Sequence, residues 1–577
     1  MHAKRLNLVM KAGLALGVCA SAVPSTSAQL RVVNWNVTNY SSGRVADFQN
    51  AIYLAGPAGS MNPDIIVVEE VNTDTGRTNF LNLLNTFPGG PTDWAATPYV
   101  ANPSFPSSNP MHVLYYRTSK VTLLSQAGVP TPPFTVKRLG TGTGTCNTCP
   151  PRDTHRYLVR LAGYPASNAS ELYIYGAHFK AGTSSEDPDR REAESIRLRD
   201  DSDVLPTGVN FLLAADLNVQ SSNNAAYVRL TENGANAAGR FIDPINSPGS
   251  WENNSNFRIL HTQEPSSAMD SRHDQILIAP TLRNGTGIEY IGSTTLAYST
   301  TTWNDPNHTY RVWGNDGTTY DVPIKTTGNT QVGPTIAQAL INSVQGNGHL
   351  PVFLDLRVPA KIWATPTVNF GTVNVGAPAS AVITVRNGDA LVSGSDPHFA
   401  RFNRGNTSAF ETLTYTLSAS SGFTAPGGSF NRTAGASSSF QSSHTITMNT
   451  STPGTKTGTI TISSNAAGTP TYVINVTGIV VAPPPPCPAD IACDDGTPLA
   501  EAPGCVNNGV NEGDYNAFFS AGGFFAQAAL GANAIGAFCD IACDDGTPKT
   551  EAPGCVNNGV NEGDFNAFFN NLFIPCS

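Results

Sequence analysis

The sequence predicts a strand-rich chain of several domains: an α/β domain, then a β-sandwich, then a small duplicated module that holds most of the cysteines. Three observations predict it. Charged residues make up only 13% of 577, while Gly (53) and Pro (42) are abundant, which favours strands and loops over long helices. Between residues 30 and 357 short apolar runs repeatedly end in a polar side chain, and from Thr365 the texture changes to short Ser/Thr/Gly-punctuated strands. Beyond Cys487 a segment recurs within the chain. A chain of this length exceeds a single domain.

The N-terminus reads as a targeting segment. Lys4, Arg5 and Lys11 form a basic start, Leu14 to Val23 is a short apolar stretch, and Thr26 to Ala28 ends in small residues; cleavage is expected after Ala28, making 1–28 a signal peptide and the mature protein exported. No later run approaches the ~18 apolar residues of a membrane span. The formal net charge of -10 excludes a strongly basic nucleic-acid footprint. It does not exclude a nuclease, because a bound metal can supply positive charge where a phosphate sits. Cys19 falls in the signal, and seven of the nine remaining cysteines lie from Cys487 onward. In an exported chain these read as disulfides, the odd total leaving one free or intermolecular. Cys146 and Cys149 suggest a local disulfide or loop clip; a zinc site would need two further ligands close by.

Leu30 to Val37 alternates as a strand with Asn36 near its end. Val45 to Leu54 reads as a short helix. Pro63 to Val71 is an apolar run closing on Glu69 and Glu70, and adjacent acids after a buried strand are costly unless solvated, paired or on a metal. Met111 to Arg117 is a strand, and Leu172 to His178 is another, ending in a histidine. Glu186 to Leu198 has helical character, with Ser184 and Ser185 as cap candidates. Phe211 to Ala215 is a buried strand followed by Asp216 and Asn218, two apart and so on one side if the strand continues; alone, the pair is equally an Asp/Asn turn. Ser271 to Ile278 carries Asp274 at its entrance, and Gly348 to Asp355 carries His349. Polar residues at the ends of several strands converging on one sheet edge is how many hydrolytic sites are made.

In order and spacing these segments resemble the motifs of the endonuclease/exonuclease/phosphatase superfamily, which includes the deoxyribonuclease I-like enzymes. The resemblance covers about residues 30 to 357, and the segment His178 to Gly182 is most similar to exported bacterial nucleases. It implies a four-layer α/β sandwich for residues 29–360, with two mostly antiparallel sheets face to face and helices outside. It also implies a metal-dependent phosphodiesterase. Glu70 with Asn36 would hold Mg²⁺ (or Mn²⁺ or Ca²⁺), for which oxygen ligands are suited. Glu69 stands where the family often has a neutral amide. Asp216 would orient or deprotonate the attacking water, and Asn218 would hold a phosphate oxygen. His178 would donate to phosphate or protonate the leaving oxygen, and Asp274 would pair with His349 and keep it cationic. Arg152 is either a phosphate clamp or a surface ion pair. One departure stands out: Gly348 replaces the acid that usually precedes the last histidine, and Asn347 is the residue that would stand in for it. The implied substrate is DNA or RNA. A phospholipid or sugar-phosphate diester is the alternative, and a decayed domain on a surface adhesion protein is the non-catalytic one.

Residues 361–481 read as a β-sandwich by strand spacing and resemble Ig-like modules of exported bacterial proteins; spacing or binding is the expected role. Residues 482–486 form a stiff proline linker. In 487–577, Asp490 to Gly496 recurs as Asp540 to Gly546, and Glu501 to Asp514 recurs as Glu551 to Asp564, a period of fifty residues. The tail resembles dockerin-like repeats. It is either a Ca²⁺ module using Asp490, Asp494, Asn507, Asn511 and Asp514, with Asp540, Asp544, Asn557, Asn561 and Asp564 in the second copy, or a disulfide-stapled module without metal. Either form points to attachment or partner binding.

Overall fold

The structure, a computed structural model, describes residues 30–574 except 101–110, 127–131, 137–151, 405–408, 482–486 and positions 235, 347, 503 and 553. The expected signal segment, Cys146, Cys149, Asn347 and the proline linker therefore lie outside the described residues. Among those described, no helix is long and apolar enough to cross a membrane.

The first domain contains strands β1 (Leu30–Tyr40), β2 (Ile65–Val71), β3 (Trp94–Ala96), β4 (Met111–Arg117), β5 (Val121–Leu124), β6 (Phe134–Val136), β7 (Thr154–Leu161), β8 (Glu171–His178), β9 (Asn210–Asp216), β10 (Asp274–Ile278), β11 (Glu289–Tyr290), β12 (Arg311–Val312) and β13 (Val352–Arg357). They form two sheets. The seven-stranded one runs β11-β13-β1-β2-β4-β3, with β12 also on β13; the six-stranded one runs β10-β9-β8-β7-β5, with β6 also on β7. Only β1/β2 and β8/β9 pair in parallel within these sheets. Their inner faces supply one continuous core, including Val32, Val67, Ile174, Leu212 and Ile276. Helices α1 (Val45–Tyr53), α2 (Asp74–Asn85) and α5 (Gly333–Val344) cover the outer face of the first sheet. Helices α3 (Asp187–Asp203) and α4 (Ala225–Thr231) cover the second, where Leu198, Tyr227 and Leu230 pack on Phe211 and Leu213. The result is the four-layer α/β arrangement expected from the sequence. Strands buried on both faces explain the unbroken apolar runs of β2 and β9.

Ile362–Ala364 begins a second body of two sheets, four- and five-stranded, closed over a core that includes Ile383, Leu417, Ile446, Ile462 and Val476. This sandwich is more than a spacer. Its helix Pro397–Phe402 sends Phe399 and Phe402, with Phe410 beside them, into the hydrophobic core of the first domain. The Tyr164 hydroxyl donates to Pro359 O at 2.6 Å and lies 3.1 Å from His398 Nε2. Asp64, fully buried, accepts from Arg404 at 2.8 Å and from the Arg31 amide at 2.9 Å. Burial opposes the charge of Asp64, but Arg404 and Lys120 outweigh it and hold the carboxyl below its usual range. Glu411 Oε2 accepts the backbone N–H groups of Gly287 (3.1 Å) and Ala360 (3.0 Å), so one carboxylate of the sandwich satisfies two amides outside it. Glu411→Ala is expected to destabilise the protein by about 2–4 kcal/mol, because buried amides left unpaired cost about 1–3 kcal/mol each. Urea unfolding of the full chain measures this, and an unchanged midpoint would show that the docking contributes nothing.

In the tail the disulfides Cys493–Cys505 and Cys543–Cys555 close one equivalent loop in each repeat, and Cys539 is free and buried. Phe518 and Phe568, from the two repeat helices, stack with centroids 3.9 Å apart. Two of the residues expected to be calcium ligands have another task. Asp514 Oδ1 accepts the amides of Ile491 (2.7 Å) and Ala492 (2.8 Å), and its Oδ2 accepts that of Asn511 (2.8 Å). Asp564 does the same in the second copy with Ile541, Ala542 and Asn561. Both are buried helix-capping acids whose oxygens are taken up by backbone, the capping-box arrangement that a Asn-x-x-Asp start permits. Asp490 accepts from Asn507 at 2.8 Å and Asp494 from Asn511 at 2.6 Å; Asp540 and Asp544 accept likewise from Asn557 (3.0 Å) and Asn561 (2.6 Å).

Candidate active site

Strand direction gathers the polar strand ends at one edge of the paired sheets. β1 and β2 run parallel, so Asn36 and Glu70 leave at the same end. β8 and β9 also run parallel and put His178 opposite Asp216. β10 returns antiparallel, which sets Asp274 opposite Asp216 on its other side. β13 returns antiparallel beside β1, with His349 just before it. Six segments far apart in sequence thus meet at one edge.

Asp216 lies at the centre. Its Oδ2 accepts Asn36 Nδ2 at 3.0 Å and sits 3.3 Å from His178 Nε2 and 3.8 Å from His349 Nε2, while Oδ1 accepts the Asn218 amide at 3.2 Å. Asn36 Nδ2 also donates to Glu70 Oε1 at 3.1 Å, and Glu70 Oε2 accepts the Asn39 amide at 2.8 Å. The β2/β4 register shifts between Val68 and Val71, and Glu70 there adopts φ +64°. Such a bulge re-aims a side chain, and this one turns Glu70 out to the edge while Glu69 stays fully buried between the sheets. Neither Glu69 oxygen has a partner. Burial, with Asp274 and Asp216 nearby, raises its carboxyl far above the usual range.

His349 Nδ1 lies 2.7 Å from Asp274 Oδ2. Burial disfavours the imidazolium, but Asp274 and then Asp216 outweigh it and push the ring up to about 10, so His349 is a cation. His178 behaves oppositely: burial first, then the Arg152 charge, push it well below its ordinary value, and its imidazole is neutral. Two histidines at one edge are therefore pushed in opposite directions. Asp216, Asp274 and His349 have ligand atoms within 4.8 Å of one another. His349 uses Nδ1 on Asp274. Glu70 and Asn36 add further oxygen donors at the same edge. The excess of carboxylates over cations at this edge, with the hard oxygen donors of a partly exposed Glu70, fits an alkaline-earth or manganese ion.

Asn218, in a left-handed conformation (φ +50°), donates Nδ2 to Phe179 O at 3.1 Å and so braces the loop after His178. Arg152 is at the site, with part of its guanidinium committed to backbone. Its Nη1 donates to the carbonyls of His178 (3.2 Å) and Phe179. Buried Glu194 of α3 accepts the Arg152 amide at 3.1 Å and the Lys180 amide at 2.7 Å, fixing both segments; burial raises Glu194 to about 8 despite Arg152. At Gly348 a Cβ would stand 2.4 Å from Val344 Cβ, so the end of α5 leaves no room for an acid there. His273 is a further buried side chain at this edge, its ring 6.4 Å from that of His349. Nothing in the sequence but its place just before β10 marks it.

No family model matches the chain, and no curated protein matches it. Among solved structures, the human Nocturnin catalytic domain with bound sulfate is similar at 12% identity, over 57% of this chain and 93% of that one, with a TM-score of 0.32. An endonuclease/exonuclease/phosphatase family protein from Bacteroides thetaiotaomicron is similar at 14% identity, over 57% and 94%, TM-score 0.32. An endonuclease/exonuclease/phosphatase from Beutenbergia cavernae is similar at 12% identity, over 77% and 99%, TM-score 0.32. At such values the chemistry rests on the residues themselves.

Proposed function

We propose that residues 29–360 are an exported, metal-dependent phosphodiesterase, a nuclease hydrolysing DNA or RNA. The observation that carries this reading is the cationic His349, fixed by Asp274 and facing the carboxylate of Asp216 across less than 4 Å. A phosphodiester placed at the edge would meet that cation on one side. Asp216, steadied by Asn36 and the Asn218 amide, would take the proton of the attacking water. Neutral His178 would donate to a phosphate oxygen or to the leaving oxygen. Mg²⁺, Mn²⁺ or Ca²⁺ on Glu70 and Asn36 would supply charge neutralisation at phosphorus. Asn218 and Arg152 would act by holding the His178–Lys180 segment in place. In the tail, Asp490, Asp494, Asn507 and Asn511 with their second-copy equivalents are the side chains left to hold Ca²⁺, in a module that attaches the enzyme to a protein or surface partner.

The purified protein incubated with plasmid DNA, RNA and bis(p-nitrophenyl) phosphate is expected to turn over at least one of them with Mg²⁺ or Mn²⁺ and none with EDTA. Absence of metal-dependent turnover on all three would end the enzymatic reading. Sequencing of secreted protein is expected to start at Gln29, and a start at Met1 would remove the export assignment.

A further inference from the structure

His273 precedes Asp274 at the mouth of the site. Its carbonyl accepts the Leu217 amide at 2.9 Å, and its own amide lies 3.2 Å from Thr262 Oγ1. The backbone is thereby pinned between the Asp216–Asn218 turn and the segment leading to Gln263, which bridges to His349. The side chain is held in place as firmly. The residue is 7% exposed, its ring lies 6.4 Å from the His349 ring at 43°, and Asp216, His349 and Arg191 are near enough for their charges to act on it. Yet neither ring nitrogen has a hydrogen-bond partner. Imidazole always carries at least one N–H, and a buried donor without an acceptor is unfavourable and calls for an explanation. Packing alone does not provide one, since an apolar ring would fill the same space without two orphaned nitrogens. Buried His261, close by, shows the contrast: its Nδ1 and Nε2 meet the carbonyls of Met269 and Trp251.

We propose that His273 is a further catalytic residue, donating a ring N–H to a non-bridging phosphate oxygen of the diester that lies against His349. This deepens the phosphodiesterase reading and rests on it. It also gives the site a third imidazole in a place where no side chain at position 348 can contribute.

The test compares wild type, His273→Phe and His273→Gln in two assays with Mg²⁺: kcat and KM on bis(p-nitrophenyl) phosphate, and the dissociation constant of inorganic phosphate by calorimetry. His273→Phe keeps the ring volume and is expected to weaken phosphate at least about tenfold, the size of one hydrogen bond to an anion, with kcat/KM falling by as much or more. His273→Gln, which retains an N–H, is expected to recover part of both. If His273→Phe matches wild type in both assays, the ring is packing and the proposal is overturned. If His273→Phe does not fold, His273→Ala replaces it with free imidazole added. Recovery of phosphate affinity then supports the proposal, and failure to recover overturns it. Wild type that binds phosphate through His273 but cleaves no diester would remove the phosphodiesterase reading and leave the contact standing. Wild type that binds no phosphate overturns the proposal itself.

Discussion

Asp216→Asn is expected to lower kcat by about 10³-fold, within the 10²–10⁴ range for loss of a positioned base, while leaving the fold intact. Asparagine keeps the shape of the side chain and can still accept Asn36 Nδ2, now at 3.0 Å from Oδ2. What it loses is the negative charge between His178 and His349 and the capacity to take a proton. Stability should hold or rise, because Asp216 is almost fully buried beside the buried carboxyls of Glu69 and Asp274, and removing one of several crowded charges relieves repulsion. The paired readout is single-turnover rate and thermal midpoint. Asp216→Ala should be at least as inactive but less stable, since Asn36 and the Asn218 amide lose their acceptor. Near-wild-type kcat in Asp216→Asn would show that water activation lies elsewhere, and a collapsed thermal midpoint would show that the carboxylate is structural.

Much of this arrangement is legible in the sequence, and the reason is topological. In a sandwich whose strands are buried on both faces, an apolar run must end where the sheet ends, so the first polar residue after each run marks the edge. Asn36, His178 and Asp216 stand near the ends of such runs, the pair Glu69–Glu70 closes another, and Asp274 and His349 stand at strand entrances. What is not legible depends on single-residue register. Glu69 and Glu70 are indistinguishable in the sequence, and only the bulge after Val68 decides which one turns outward. The helical segment α3 begins where its charge pattern begins, but it runs on to Asp203 and is preceded by Glu186 without a side-chain cap; Ser184 instead donates to Asp187 at 2.7 Å. Helices α2 and α5 carry local start signals, the Thr73 side-chain cap and Pro334 in the first turn, and each covers the first sheet. His273 and Glu194 escape notice because their meaning is relational: one matters for the ring it lies beside, the other for two amides from distant loops. In the tail, Asp514 and Asp564 each accept one amide from their own helix start and two from residues some twenty positions earlier, a contact the spacing alone does not reveal.

The second large effect concerns His349, whose charge depends on Asp274. His349→Ala is expected to lower kcat by about 10²–10⁴-fold and to destabilise the protein, because it strands Asp274, whose Oδ1 already lacks a partner. Asp274→Asn is the more discriminating change. In the folded protein the ring is held up at about 10, against about 6.5 in the unfolded chain. Its folded pKa is thus the higher one. The stabilisation from the His349 charge is complete below about pH 6.5 and declines as pH rises toward about 10, since over that window the folded state keeps a proton that the unfolded state has released. Activity that needs the cation should therefore persist through neutral pH and fall only on the alkaline side. Asparagine at 274 removes the partner at 2.7 Å and leaves Asp216 at 3.8 Å, with the Glu70 charge, to oppose burial. The alkaline limb of kcat/KM should then shift downward by about 1–3 pH units, the range for loss of an adjacent opposite charge. The His349 ring resonance followed by NMR across the same range should move with it. Superimposable pH profiles for Asp274→Asn and wild type would show that the imidazolium is not what the reaction uses. A shifted ring titration beneath an unshifted rate profile would assign the cation to folding alone.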